Sequence, residues 1–241
     1  MAEKIISVGN QNGDGGNPVA YLTELCNRME ADLEPSGHRQ VFAAQLRDLT
    51  LIRMLIEIPI RSGNIRVMEL GRHLERDAVT GIWRLWIPKP EFMTRTAHPT
   101  RNIDHRYSLR TSETIDRYLA DGRTKLTGHD QTGLMFLSGA SASKTTNGFK
   151  SELPFREMNV QAFWRALSKR LNGYFGAEVE PAIFRPFIAA AIRTENLEEP
   201  GTGASVLNDS LDTIAEAYKH LAQSEGLRIR NESSRAAKWI N

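Results

Sequence analysis

Apolar positions recur at helical spacing over residues 38–57, where Val41, Ala44, Leu49, Ile52, Leu55 and Ile56 predict a long helix that Pro59 ends. A second helix is expected over 62–70, with Ser62 as N-cap and Gly71 as terminator. Residues 82–87, Ile-Trp-Arg-Leu-Trp-Ile, are rich in β-formers and predict a strand. A loop holding Pro88, Pro90 and Pro99 leads to another strand near 103–109, and helix returns at 112–120. Trp83 and Trp86 lie an odd number of positions apart, so at most one faces the core of a regular strand. Sheet packing and base stacking both remain open for the other. Further on, Val160, Phe163, Trp164, Leu167 and Leu171 share one face of a helix that Asn159 caps and that runs to about 172. Helices near 183–196, 202–208 and 211–223 complete the pattern.

Between these elements the punctuation is clear. Residues 9–18 are polar and glycine-rich and read as flexible, and a short helix is expected at 19–33, ended by Pro35 and Gly37. Residues 138–151 are a run of small residues and read as a loop. The expected organisation is a flexible acidic arm at 1–37, a main domain at 38–225 and a tail at 226–241. The expected fold class is mainly α with one small antiparallel β-sheet.

Composition narrows the setting. With 241 residues and 40% hydrophobic content the chain can bury a substantial core. No stretch approaches the roughly 20 apolar residues of a membrane span, and the N-terminal residues lack a secretory pattern. A lone cysteine, Cys26, excludes an internal disulfide and suits a reducing compartment, so a cytoplasmic location is expected. Net charge is only +2, but residues 1–36 carry two basic and six acidic groups, whereas residues 61–126 carry thirteen basic and eight acidic ones. Local positive surface of that kind suits a phosphate backbone, and ordinary charged helix faces account for it equally well.

The chemistry-bearing residues lie far apart in the chain. Arg61 follows the first long helix in Ile58-Pro-Ile-Arg-Ser-Gly-Asn64, Arg185 sits in Pro181-Ala-Ile-Phe-Arg-Pro186, and Tyr218 lies 33 residues beyond Arg185. Two guanidinium groups that clamp a phosphodiester, with a phenol that attacks phosphorus, meet the needs of metal-free phosphoryl transfer. A bland reading stands beside each: a surface arginine at a helix start, an arginine paired structurally with Asp209, and a tyrosine packing beside Ile214 and Leu221. His73, His129 and His220 have no ligand-like spacing, so no metal site and no cofactor are expected.

In this order and at these spacings the chain resembles the catalytic domain of tyrosine recombinases, the phage-integrase family, over roughly residues 38–225. The resemblance rests on Leu55 to Asn64 with Leu70-Gly-Arg-His-Leu74, on Pro181 to Ala191, and on Val206 to His220. It implies the integrase-like catalytic fold, with Tyr218 as nucleophile and Arg61 and Arg185 holding the phosphate. It further implies a 3′-phosphotyrosyl intermediate, double-stranded DNA as partner, and tetramers of protomers assembled on DNA. No nucleotide cofactor and no membrane enter such chemistry. Residues 1–37 are too short for the separate helical domain with which family members clamp DNA, so a fragment or a partner-dependent protein is expected.

The departures from the family pattern are specific. Ala182 stands at the histidine of H-x-x-R, Asp209 stands where the family has histidine or tryptophan, and Met93 aligns with the lysine of the β-hairpin. Lys89, four residues earlier on that hairpin, is the candidate replacement proton donor, with a solvated surface lysine as the alternative. Arg95, His98 and Arg101 are the expected DNA contacts around the same loop, and His105 is considered with them.

Overall fold

The structure, a computed structural model, describes residues 18–33, 39–91, 102–127, 133–137, 158 and 160–175. Nearly all of them belong to one compact unit, Leu22–Pro181; the other unit, Met1–Tyr21 with Ala182–Asn241, contributes only residues 18–21 to this set. In chain order the elements are α1 (Pro18–Ala31), α2 (Arg39–Glu57), α3 (Ser62–Arg66), β1 (Leu74–Arg76), β2 (Trp83–Ile87), β3 (Ile103–Arg106), α4 (Leu109–Arg117), α5 (Thr124–Thr127) and α6 (Val160–Phe175). A 3₁₀ turn, Lys89–Glu91, follows β2, and a π-helical turn, Tyr118–Arg123, joins α4 to α5. The described unit is therefore mainly helical with one small antiparallel sheet, as its sequence pattern implies.

Helix α2 is the centre of the unit. Phe42, Ala43, Leu46, Leu49, Leu51, Ile52, Met54 and Leu55 are all buried, which wraps apolar surface almost completely around the helix. A helix apolar on nearly every side must be covered on nearly every side. The expected face was drawn too narrowly, since Val41 is 53% exposed while Phe42, Ala43, Leu46 and Leu51 are in the core. Helix α1 covers one flank with Leu22, Leu25, Cys26 and Met29, an i, i+3, i+4, i+7 stripe. Burial pushes the Cys26 thiol up to about 12, so it stays protonated at neutral pH.

The buried polar side chains of α2 are all bonded. Asp48 accepts from Arg47 (2.7 Å) and from Arg170 of α6 (2.9 Å). Arg53 donates to Glu30 of α1 (2.8 Å) and to Thr114 Oγ1 of α4 (2.6 Å), and Glu30 also receives Arg110 (2.8 Å). Paired in this way, the charges avoid the several kcal/mol that an isolated buried ion costs, on the order of 3–5 kcal/mol when one partner is removed.

The sheet has the order β1-β2-β3 and is antiparallel throughout. Trp83, Leu85 and Ile87 point inward and Arg84 and Trp86 outward, the period of two expected for a half-buried strand. Trp83 takes the core position and donates its Nε1–H to Asp116 (2.9 Å). Trp86 is half-exposed beneath the Arg84 guanidinium, 5.4 Å from its ring centroid, and Arg84 forks onto Asp104 of β3.

Three expected boundaries change. The helix predicted over 62–70 ends at Arg66, and Arg61 rather than Ser62 is its N-cap. Residues 68–70 leave the helix to pair with the 133–137 segment: Met135 N–H donates to Met68 O (2.7 Å) and Leu70 N–H to Gly133 O (2.8 Å). Tertiary pairing overrides local propensity there. Strand β3 stops at Arg106 instead of 109, because Ser108 becomes the N-cap of α4, its Oγ accepting from Thr111 N–H (3.2 Å). Helix α4 consequently begins three residues before the predicted start, at Leu109.

Glu57, the last residue of α2, holds this junction together. Its carboxylate accepts from Ser108 N–H (2.8 Å), Ser108 Oγ, Thr111 Oγ1 and, at 3.4 Å, His105 Nε2. Burial pushes its pKa up, but the hydrogen bonds from His105, Ser108 and Thr111 together hold it below the usual glutamate value. Tyr107 is fully buried beside it and edge-on to His105 at 4.9 Å; burial, then the Glu57 charge, pushes the phenol well above its usual value.

Two outcomes follow from this packing. A Cβ on Gly122 would stand 2.8 Å from Cδ2 of the fully buried Tyr118. Gly122→Ala should therefore lower the unfolding free energy, since overpacking costs about 1–3 kcal/mol against a propensity gain of at most about 1 kcal/mol; an unchanged urea midpoint would show that the ring has room. Glu57→Gln should cost about 1–3 kcal/mol at pH 7 by leaving buried donors poorly paired. Because the folded carboxyl lies below its unfolded value of about 4.3, the wild-type advantage is full above that pH and shrinks as pH falls through the folded value. Urea titrations at pH 7 and pH 3 measure both gaps, and equal gaps would contradict the account.

Candidate functional site

The chain leaves α2 through Ile58, Pro59 and Ile60, whose isoleucines are both buried. Proline cannot extend the helix, and the buried side chains pin the exit. Arg61 follows in an extended conformation (φ −67°, ψ 144°) as the N-cap of α3, and its carbonyl accepts from Asn64 N–H (2.9 Å) and Ile65 N–H (3.2 Å). Its side chain is half-buried. One helical turn later, Asn64 is 1% exposed.

Lys89 opens the 3₁₀ turn after β2 and is exposed. Its backbone N–H donates to Asn102 Oδ1 (2.8 Å), one residue before β3, so Lys89 stands at the root of the β2–β3 connection. Glu91 N–H closes the turn onto Pro88 O (3.0 Å).

A pocket of about 110 Å³ is lined by Asn64, Val67, Glu69, Arg72, His73, Ile87 and Glu91. Its polar wall is fixed by hydrogen bonds. His73, 5% exposed, accepts the Glu69 N–H at Nδ1 (3.0 Å), which leaves the proton on Nε2, and Nε2–H points at Glu91 Oε2 (2.9 Å). Arg72 Nη2 donates to the same oxygen at 2.9 Å, and Arg72 Nη1 reaches Glu69 at 3.5 Å. The His73 hydrogen bond first, and then Arg72, hold the Glu91 carboxyl below its usual value. Two carboxylates, one guanidinium and one imidazole thus stand in the polar wall of the pocket.

The other sequence candidates divide sharply. His105 is no exposed loop residue: it belongs to β3, is part-buried and faces Glu57. Tyr218, Arg185, Ala182, Asp209, Met93, Arg95, His98 and Arg101 lie outside the described residues, as do Asn159, the 138–151 loop and the tail. The sequence alone assigns no role to Asn64, Arg72 or Glu91 and raises His73 only as a metal ligand. The available signal was local: Leu70-Gly-Arg-His-Leu74 already belonged to the resemblance, and Glu91 lies two residues from both Lys89 and Met93.

Among the described residues no group of three or more His, Cys, Asp or Glu could hold a metal ion, and no helix is long and apolar enough to cross a membrane. No protein-family model matches the chain, and no curated protein matches it.

Proposed function

We propose that this chain is a recombinase-type DNA strand transferase, cutting and rejoining duplex DNA through Tyr218. The observation that carries the reading is the placement of Arg61 and Lys89. Arg61 immediately precedes the helix that supplies Asn64 to the pocket, and Lys89 lies between the pocket residues Ile87 and Glu91. An arginine just after the first long helix, as the resemblance implies, and a lysine at the root of the β2–β3 connection support the reading.

In the proposed reaction a new bond forms between Tyr218 Oη and phosphorus, and the bond from phosphorus to the 5′-oxygen breaks. The phenolic proton leaves to solvent, and Lys89 returns a proton to the departing 5′-oxygen. Arg61 and Arg185 offset the charge that builds on the non-bridging oxygens. The phosphotyrosyl bond conserves the energy of the phosphodiester, so rejoining requires no nucleotide.

A second reading, a recombinase-like protein that binds DNA or its active relatives without cutting, is favoured by Ala182, Asp209 and Met93. A carboxylate at 209 beside a phosphate would repel it by about 1–4 kcal/mol at ~4 Å, according to the effective dielectric.

A pool of nicked duplexes of randomised sequence separates the two readings. Strand transfer predicts a protein–DNA adduct that survives denaturation and disappears in Tyr218→Phe; its absence across the pool sinks the cleavage claim. The non-cutting reading predicts binding without an adduct, and cleavage gained only by Ala182→His combined with Asp209→His. Both readings predict duplex affinity that falls steeply with salt, and salt-insensitive or absent binding would exclude them together.

A further inference from the structure

The turn that presents Lys89 is fastened at its far end by a side chain unrelated to the strand hydrogen bonds. Glu91 Oε2 receives both His73 Nε2–H and Arg72 Nη2, each at 2.9 Å. His73 is held rigidly from three directions. It is buried, its ring accepts the Glu69 N–H, and its carbonyl accepts the Trp86 N–H of β2 at 2.7 Å. The anchor is therefore built into the sheet, while the object it holds is a three-residue turn with an exposed lysine at its start.

We propose that Glu91, through His73 and Arg72, is a positioning residue that fixes the 89–91 turn and so aims Lys89 at the departing 5′-oxygen. This rests on the strand-transfer reading for its chemical role, though the clasp itself does not. A 3₁₀ turn of three residues makes too few backbone hydrogen bonds to hold one conformation unaided. Here the Lys89 N–H to Asn102 bond secures one end and the Glu91 carboxylate the other. Lys89 is left with only its side-chain torsions free. Proton transfer depends steeply on such placement, and displacement of a catalytic group by about 1 Å can cost on the order of a hundredfold in rate. The clasp also gives the Glu91 carboxylate its own partners, Arg72 and His73.

Two measurements test this. In Glu91→Ala and Arg72→Gln, amide hydrogen exchange at Lys89 and Glu91 should accelerate at least tenfold, while Leu85 and Ile115 in the core stay unchanged. Unaltered exchange at the turn would overturn the clasp whether or not the protein cuts DNA. The second measurement uses a duplex recovered from the randomised pool and the same duplex with sulfur replacing the departing 5′-oxygen. A thiolate leaves without a proton, so Glu91→Ala and Lys89→Ala should slow cleavage of the oxygen substrate by about tenfold to a hundredfold and leave the sulfur substrate near wild-type rate. Equal slowing on both substrates would reduce Glu91 to a structural role and overturn the positioning claim. Failure of the wild type to cut either substrate would sink the strand-transfer reading and with it the aim assigned to Lys89, and the exchange data would still decide the clasp.

Discussion

One carboxylate, that of Glu57, sets the geometry around which the described unit is arranged. It ends the central helix and receives four donors from the β3–α4 junction. An anion at the start of α4 is favoured by the helix dipole as well as by the hydrogen bonds. Through this contact the end of α2, the last strand and the next helix meet at one point. Arg61 departs from that point only four residues later, through Ile58, Pro59 and Ile60, all three of them buried. The exit that leads to Arg61 thus starts from a helix end fixed by a structural anion.

The buried charges of α2 act differently. Arg53 with Glu30, Arg110 and Thr114 fastens three helices, and Asp48 with Arg47 and Arg170 fastens α6. Buried ion pairs rarely add much net stability, because desolvation offsets attraction. Their geometric demand is another matter. A helix apolar on nearly every side will accept many neighbours at many rotations, and two charged positions on it leave few. Specificity of packing is the stronger account of their presence.

Much of this architecture was legible in the sequence, for identifiable reasons. The long helix, the Trp83–Ile87 strand and the Val160 helix each carry an unbroken period, and their bounds fall within a few residues of those predicted. Strand β1 has three residues and no period to read, so it was missed. The helix at 62–70 was overextended because its C-terminal half pairs with residues some 65 positions away, which no local window records. Within the site, Arg61 and Lys89 were visible as residue types at telling places. Glu91 and His73 were not, because their significance lies in a contact across 18 residues. Acidic groups are also discounted when a polyanion is the expected partner.

The π-helical turn at Tyr118–Arg123 has a consequence for how this chain tolerates change in length. A π turn carries one residue more than an α turn closed between the same ends. It lets Tyr118 stack on Phe136 from within the core while Arg123, on the far side of the bulge, grips the Leu134 carbonyl at 2.7 Å. Losing a single residue there would close a regular α turn between the same ends and leave the helix beyond it near its present register. A residue lost from the regular turns on either side would instead rotate all that follows by about 100° and carry Arg123 away from, or Tyr118 out of, its present contact. The helical stretch from Leu109 to Thr127 is therefore a ruler with slack at one notch, and that notch is where its length can change by one.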